Sequence, residues 1–131
     1  MTDEQKLQHV ISLFRFRLRD LTPAQNEEYT RTADRLLKIA SSMPGFISFR
    51  DYSGHDGEML VVVEFSSAET LAAWRNHPDH RAAQQRGRDE FYVEYQVVSC
   101  GVMHNSTTNI AEAPGSLTVL VRVYCAMELA A

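Results

Sequence analysis

The hydrophobic positions change period several times along the chain. In His9–Leu18, HVISLFRFRL, the second half alternates: Phe14, Phe16 and Leu18 fall on one face, Arg15 and Arg17 on the other. That pattern predicts a strand with one buried face. Thr22-Pro23-Ala24-Gln25 then reads as a helix start, with Thr22 and Gln25 spaced as a capping box and Pro23 at the first helical position. Tyr29, Ala33, Leu36, Leu37 and Ala40 follow on one helical stripe, and Met43-Pro44-Gly45 ends it. FISFRDY (46–52) and EMLVVVEF (58–65) read as two strands joined across the turn residues SGHDG, an antiparallel hairpin. The continuous apolar centre of the second predicts burial on both faces.

Ser66 and Glu69 are spaced as another capping box, opening a helix through Leu71, Ala72 and Trp74. Pro78 breaks it, and the helix restarts there with Asn76 or His77 as the new cap, ending near Gly87 or Phe91. FYVEYQVVSCGVM (91–103) is the fourth long strand. The order β-α-β-β-α-β predicts an α+β, ferredoxin-like sandwich. The fourth strand carries Tyr92, Val98, Cys100 and Val102 opposite Val93, Tyr95 and Val97, so the sheet is apolar on two faces while its helices cover one. A second copy packing sheet to sheet is the economical cover, and a two-fold homodimer is expected. Residues 1–104 form the predicted domain. In 105–131 a polar stretch, NSTTNIAEAPGS, links to LTVLVRVYC, a strand expected to pair with a sheet edge of its own or a partner subunit.

At 131 residues the chain suits one domain, and its net charge of −4 argues against nucleic acid as a partner. The alternating Arg15, Arg17 and Arg19 lack the exposed aromatic pair of an RNA-recognition sheet and read as a solvated edge or a salt bridge. The N-terminus has no signal pattern and no apolar run reaches ~20 residues, so no membrane is expected and the predicted location is cytoplasmic. Cys100 and Cys125 form no CxxC motif and read as reduced thiols.

The candidate chemistry gathers in WRNHPDH (74–80). His77 and His80, at i and i+3, could share an ion, with Asp79 and Asp51 as further donors. No third ligand stands at a recognisable spacing, so no metal site is expected. PGFISFRDY together with EFSSAETLAAWRNHPDHRAAQQRGRDEFYVEYQVVSC resembles the antibiotic biosynthesis monooxygenase domain, over roughly residues 8 to 104. The resemblance implies a dimeric α/β barrel. It also implies a cofactor-independent monooxygenase acting with O₂ on a small aromatic or quinol-like substrate. In that reading Trp74 lies in the pocket wall and His77 or His80 is the base, with Phe14, Phe16, Thr70 and Tyr95 contacting substrate. Thr70 stands where some oxygenases of the family carry Asn. Tyr95 or Arg15 would steady an anion. The family also includes haem-degrading enzymes, in which a His about ten residues after the Trp ligates iron. Here that position is Gln84, a poor iron ligand, and no cofactor is expected. A catalytically silent dimer that binds a small ligand or another protein is one alternative, and a haem-binding or haem-degrading monooxygenase is the second. The feature that separates the readings is an apolar cavity between helices and sheet, reached by Trp74 and a His.

Overall fold

The computed structural model describes residues 8–109 and 119–125, with side chains described over 8–106. Strand β1 (Val10–Leu18) leads to helix α1 (Pro23–Ser42), then β2 (Phe46–Ser53) and β3 (Met59–Phe65). Helices α2 (Ala68–Arg75) and α3 (Pro78–Arg86) follow, then a π-helical turn (Gly87–Phe91), β4 (Tyr92–Asn109) and β5 (Val119–Cys125). The strands lie in the order β2-β3-β1-β4-β5 and all pair antiparallel. This is the ferredoxin-like arrangement, with β5 added outside β4.

The capping box of α1 forms as the sequence requires: Gln25 N–H donates to Thr22 Oγ1 at 3.2 Å and Thr22 N–H to Gln25 Oε1 at 2.9 Å. The box of α2 falls one residue later than expected, on Ser67 and Thr70 rather than Ser66 and Glu69. Ser66 is still engaged with the preceding structure, its N–H donating to the Gly45 carbonyl at 2.7 Å. Ser67 has the extended backbone a cap needs, and Thr70 N–H donates to its Oγ at 3.1 Å.

Gly45, at φ +84°, makes the turn after α1. A Cβ there would lie 2.5 Å from Thr70 Cβ, so both its backbone conformation and its contact with the α2 cap exclude a side chain.

The main core joins Ala40, Val63, Phe65, Leu71 and Trp74 between the helices and the sheet. On the opposite face Ile11 and Cys100 are buried, with Leu13, Val62 and Val102 packed against them. β3 therefore alternates. Val61, Val63 and Phe65 face the helices, and Val62 belongs to the other cluster. The expected burial on both faces is full only at Val63 and Phe65 on the helix side and partial on the second face.

Two further expectations change. Tyr92 joins the helix-side face with Tyr95 and Val97, because the β1–β4 register shifts between Arg17 and Leu18 and reverses the alternation there. β4 also continues to Asn109, so Asn105–Asn109 is strand rather than linker and crosses the expected 104/105 boundary. It is held by pairing with β5, from Val102↔Cys125 to Asn109↔Val119. β5 thus pairs with an edge of its own chain. The rest of the expected linker, residues 110–116, the first two residues of the expected last strand, 117–118, and the side chain of Cys125 lie outside what is described.

Candidate functional site

Pro78 cannot continue α2, and the break sets the geometry of the site. His77 caps the restarted helix, its Nδ1 accepting from Asp79 N–H at 3.1 Å. The backbone stays tightly joined across the break: His77 N–H donates to the Trp74 carbonyl at 3.0 Å, and Arg81 N–H to the His77 carbonyl at 3.0 Å. The turn brings His80 back against Trp74. Their ring centroids are 4.3 Å apart at 60°, and the indole also stacks with Phe65 at 5.7 Å.

A cavity of about 240 Å³ opens between the helices and the sheet at this pair. β1 contributes Ser12, Phe14 and Phe16 to its wall, α1 contributes Tyr29 and Leu36, and β4 contributes Tyr92, Tyr95 and Val97. Phe14 and Phe16 stack at 4.8 Å, and Tyr92 lies 5.4 and 5.0 Å from their rings. Tyr95 and Val97 are about half exposed at the rim.

The polar groups in this apolar space are few and distinctive. Trp74 Nε1 and His80 Nδ1 are buried and have no hydrogen-bond partner. A buried donor and a buried acceptor left unmade are costly, and such atoms are where a ligand gains most. Burial lowers the His80 pKa from its usual 6.5 to about 4, with Arg75 and His77 adding to the shift and a hydrogen bond to the Arg75 backbone opposing it. His80 is therefore a neutral imidazole at pH 7. Burial pushes the Tyr29 hydroxyl up to about 12 and the Tyr92 hydroxyl higher still, so both stay protonated.

Of the residues expected from sequence, Trp74, His80, Phe14, Phe16 and Tyr95 meet at the cavity. His77 and Thr70 do not line it, and each makes a helix cap instead. Arg15 lies away from it, paired with Glu58 through contacts of 3.1 and 3.2 Å. The sequence reading missed Tyr29, Tyr92, Arg75 and Arg88 in the wall. It also missed Arg19, which holds the π-helical turn. The Arg19 guanidinium donates to the carbonyls of Arg88, Asp89 and Tyr92 at 2.8, 2.8 and 3.0 Å, and its N–H donates to the Phe91 carbonyl at 2.8 Å. Gly87, at the start of that turn, lies where any side chain would strike the Tyr92 ring. π-helical turns of this kind recur at functional sites.

Haem fits this cavity poorly. Gln84, not an imidazole, lines the wall ten residues after Trp74, and the volume lies below the ~300–1,000 Å³ usual for ligands of drug size. Among the described residues no three His, Cys, Asp or Glu side chains converge to hold a metal, and His77 is used as a cap while His80 faces the cavity.

The sheet-and-helix sandwich agrees with the fold of the chain's relatives. The profile of the family described as antibiotic biosynthesis monooxygenase matches residues 13–86, and the chain belongs to that family. The Bacillus subtilis (strain 168) protein YqjZ, described as uncharacterized, is 33% identical over 69 residues. That match covers 53% of this chain and 60% of YqjZ, so the chain spans about three fifths of this relative. A dimeric ferredoxin-like protein of unknown function from Thermobifida fusca YX superposes with a TM-score of 0.59 at 21% identity, covering 72% of this chain and 92% of that one. SnoaB from Streptomyces nogalater, a cofactor-independent oxygenase whose structure is that of a point mutant, gives 0.61 at 13% identity, covering 73% and 94%. At these identities the structures share the fold. No helix among the described residues is long and apolar enough to cross a membrane.

Proposed function

We propose that the protein is a cofactor-independent monooxygenase that oxidises a small aromatic or quinol-like substrate with O₂, and that it works as a homodimer. One observation carries the reading: Trp74 and His80 line one apolar cavity side by side, and each has a buried ring nitrogen without a hydrogen-bond partner. A substrate hydroxyl or activated C–H group would meet an acceptor in His80, and a donor in Trp74 faces the charge left when its proton departs. The description of SnoaB as a cofactor-independent oxygenase supports the reaction class, and that of the Thermobifida protein as dimeric supports the assembly. A second copy would cover the sheet face that carries the half-buried Leu13, Leu60, Val62 and Val98.

The chemistry balances without a further reductant. For an activated methylene, proton transfer to His80 leaves a carbanion. That anion passes one electron to O₂, and the radical pair recombines to a peroxide that takes the proton back from the imidazole. Loss of the remaining C–H hydrogen with hydroxide gives a carbonyl and water. The four-electron oxidation of the carbon matches the four-electron reduction of O₂.

The low pKa of His80 sets a demand on the substrate. Transfer from a group of pKa near 10 to an imidazole near 4 is uphill by about 8 kcal/mol before any stabilisation of the anion. Donors aimed at the anion and a water-poor cavity reduce that cost.

The test is O₂ uptake by the purified chain, without added metal or haem, over a panel of anthrone, naphthols and dihydroxynaphthalenes, with ¹⁸O₂ tracing into product. Uptake above the autoxidation blank and one labelled oxygen per product support the reading. Uptake equal to the blank across the panel, with ligand binding retained, converts it to a silent binding module.

A further inference from the structure

The cavity that holds Trp74 and His80 has an unusual charge distribution for an acidic chain. The protein carries 17 Asp and Glu against 13 Lys and Arg, yet no carboxylate lines the cavity and two arginines do, Arg75 and Arg88. Five other arginines, at 15, 17, 31, 35 and 86, are each paired with a carboxylate. Among the described residues Arg75 and Arg88 have no such partner, nor do Arg19, Arg50 and Arg81, none of which lines the cavity. Arg75 Nη1 reaches across to Ser99 Oγ on β4 at 3.3 Å, and Arg88 Nη2 donates to Gln85 Oε1 at 2.9 Å. Both bonds go to neutral oxygens, which a guanidinium exchanges readily for a carboxylate.

We infer that the substrate is an aromatic acid, bound with its ring in the cavity and its carboxylate at the rim between Arg75 and Arg88. The inference rests on the proposed oxygenase reading for the reaction but not for the binding. The cost of desolvating the carboxylate sets the orientation. A carboxylate driven to the cavity floor would lose its hydration among Phe14, Phe16 and Val63 with no cation beside it, since His80 is neutral. At the rim both arginines are exposed, so the anion keeps part of its hydration and gains charge-assisted bonds. The ring then projects its hydroxyl or reactive carbon toward the Trp74 and His80 nitrogens. Cationic groups around a low-dielectric cleft also concentrate anions at its mouth, even on a molecule of net negative charge.

Titration calorimetry on the full chain at low salt tests this with two probes that differ by one group, 6-hydroxy-2-naphthoate, whose hydroxyl and carboxylate stand at opposite ends of the ring system, and 2-naphthol. The acid is expected to bind about tenfold tighter or better. The Arg75→Gln, Arg88→Gln double variant should reduce its affinity to that of the naphthol and leave the naphthol unchanged. Added salt should weaken the acid alone. Equal affinities, or a preference that survives in the double variant, overturn the inference while leaving the oxygenase reading intact. Failure of both probes to bind overturns both, because the cavity then accepts no aromatic ring. Circular dichroism of the double variant confirms that it is folded.

Discussion

The Trp74 indole and the His80 imidazole meet at 4.3 Å and 60°, six residues apart in sequence; both residues line the same cavity, and each leaves a buried ring nitrogen unbonded. A helix break does this. Without Pro78, residues 74 and 80 of one continuous helix would lie about 9 Å apart along its axis and point in different directions. The proline and the His77 cap are the means by which two chemically useful rings become neighbours.

His80 gives the protein a pH signature. Its folded pKa is about 4 and its unfolded value about 6.5, so between these limits the unfolded chain binds more protons than the native one. Stability is full above pH ~6.5 and falls as pH drops towards 4, by about 3 kcal/mol at most. His80→Leu should flatten this part of the profile, as measured by urea denaturation between pH 7.5 and 4. A profile with unchanged slope would place His80 in a more hydrated site than the one described.

His77 and His80 separate cleanly by substitution. His77→Ala removes the bond to Asp79 N–H and should cost about 1 kcal/mol of stability. It should not change aromatic ligand affinity. His80→Leu should weaken binding of a hydroxyl-bearing ligand about tenfold, through loss of one hydrogen bond from a dry site. Paired thermal melts and calorimetry check both.

Thr70 and Gly45 act together on stability. Thr70→Ala should lower it by about 1 kcal/mol through loss of the α2 capping box, with ligand affinity unchanged. Gly45→Ala places a methyl group 2.5 Å from Thr70 at φ +84° and should cost about 2 kcal/mol or more, measured by denaturant midpoint.

Arg19 offers a test of the π-helical turn. Arg19→Ala removes the guanidinium bonds to three backbone carbonyls and should loosen the segment that carries Arg88, Phe91 and Tyr92. Hydrogen exchange should quicken over residues 87–92 while α1 keeps its protection. Stability should fall by about 1–3 kcal/mol.

The strands, the start of α1 and the break at Pro78 are legible in the sequence because each rests on local chemistry: alternation, Thr22 with Gln25, and a residue without an N–H. Trp74 and His80 stand out by residue type. The α2 cap is displaced by one residue from its expected place because Ser66 and Ser67 are both competent caps, and only the tertiary bond from Ser66 to Gly45 decides between them. Tyr92 lies on the face opposite to the expected one because a register shift leaves no mark in a run of apolar residues. The roles of Arg75, Arg88 and Arg19 depend on where three separate segments meet, and no spacing within the chain carries that information.

Trp74 is the chain's single tryptophan, so its indole N–H gives one resolved signal in a ¹H–¹⁵N spectrum. The most direct measurement follows that signal, together with His80 Nδ1, as 1-naphthol is added without O₂. The account predicts a saturable downfield shift of the indole proton and a matching shift at His80 Nδ1 with the same affinity, since the bound hydroxyl completes both nitrogens. A ligand that binds while both signals stay unmoved would contradict the assignment of this cavity as the reactive site.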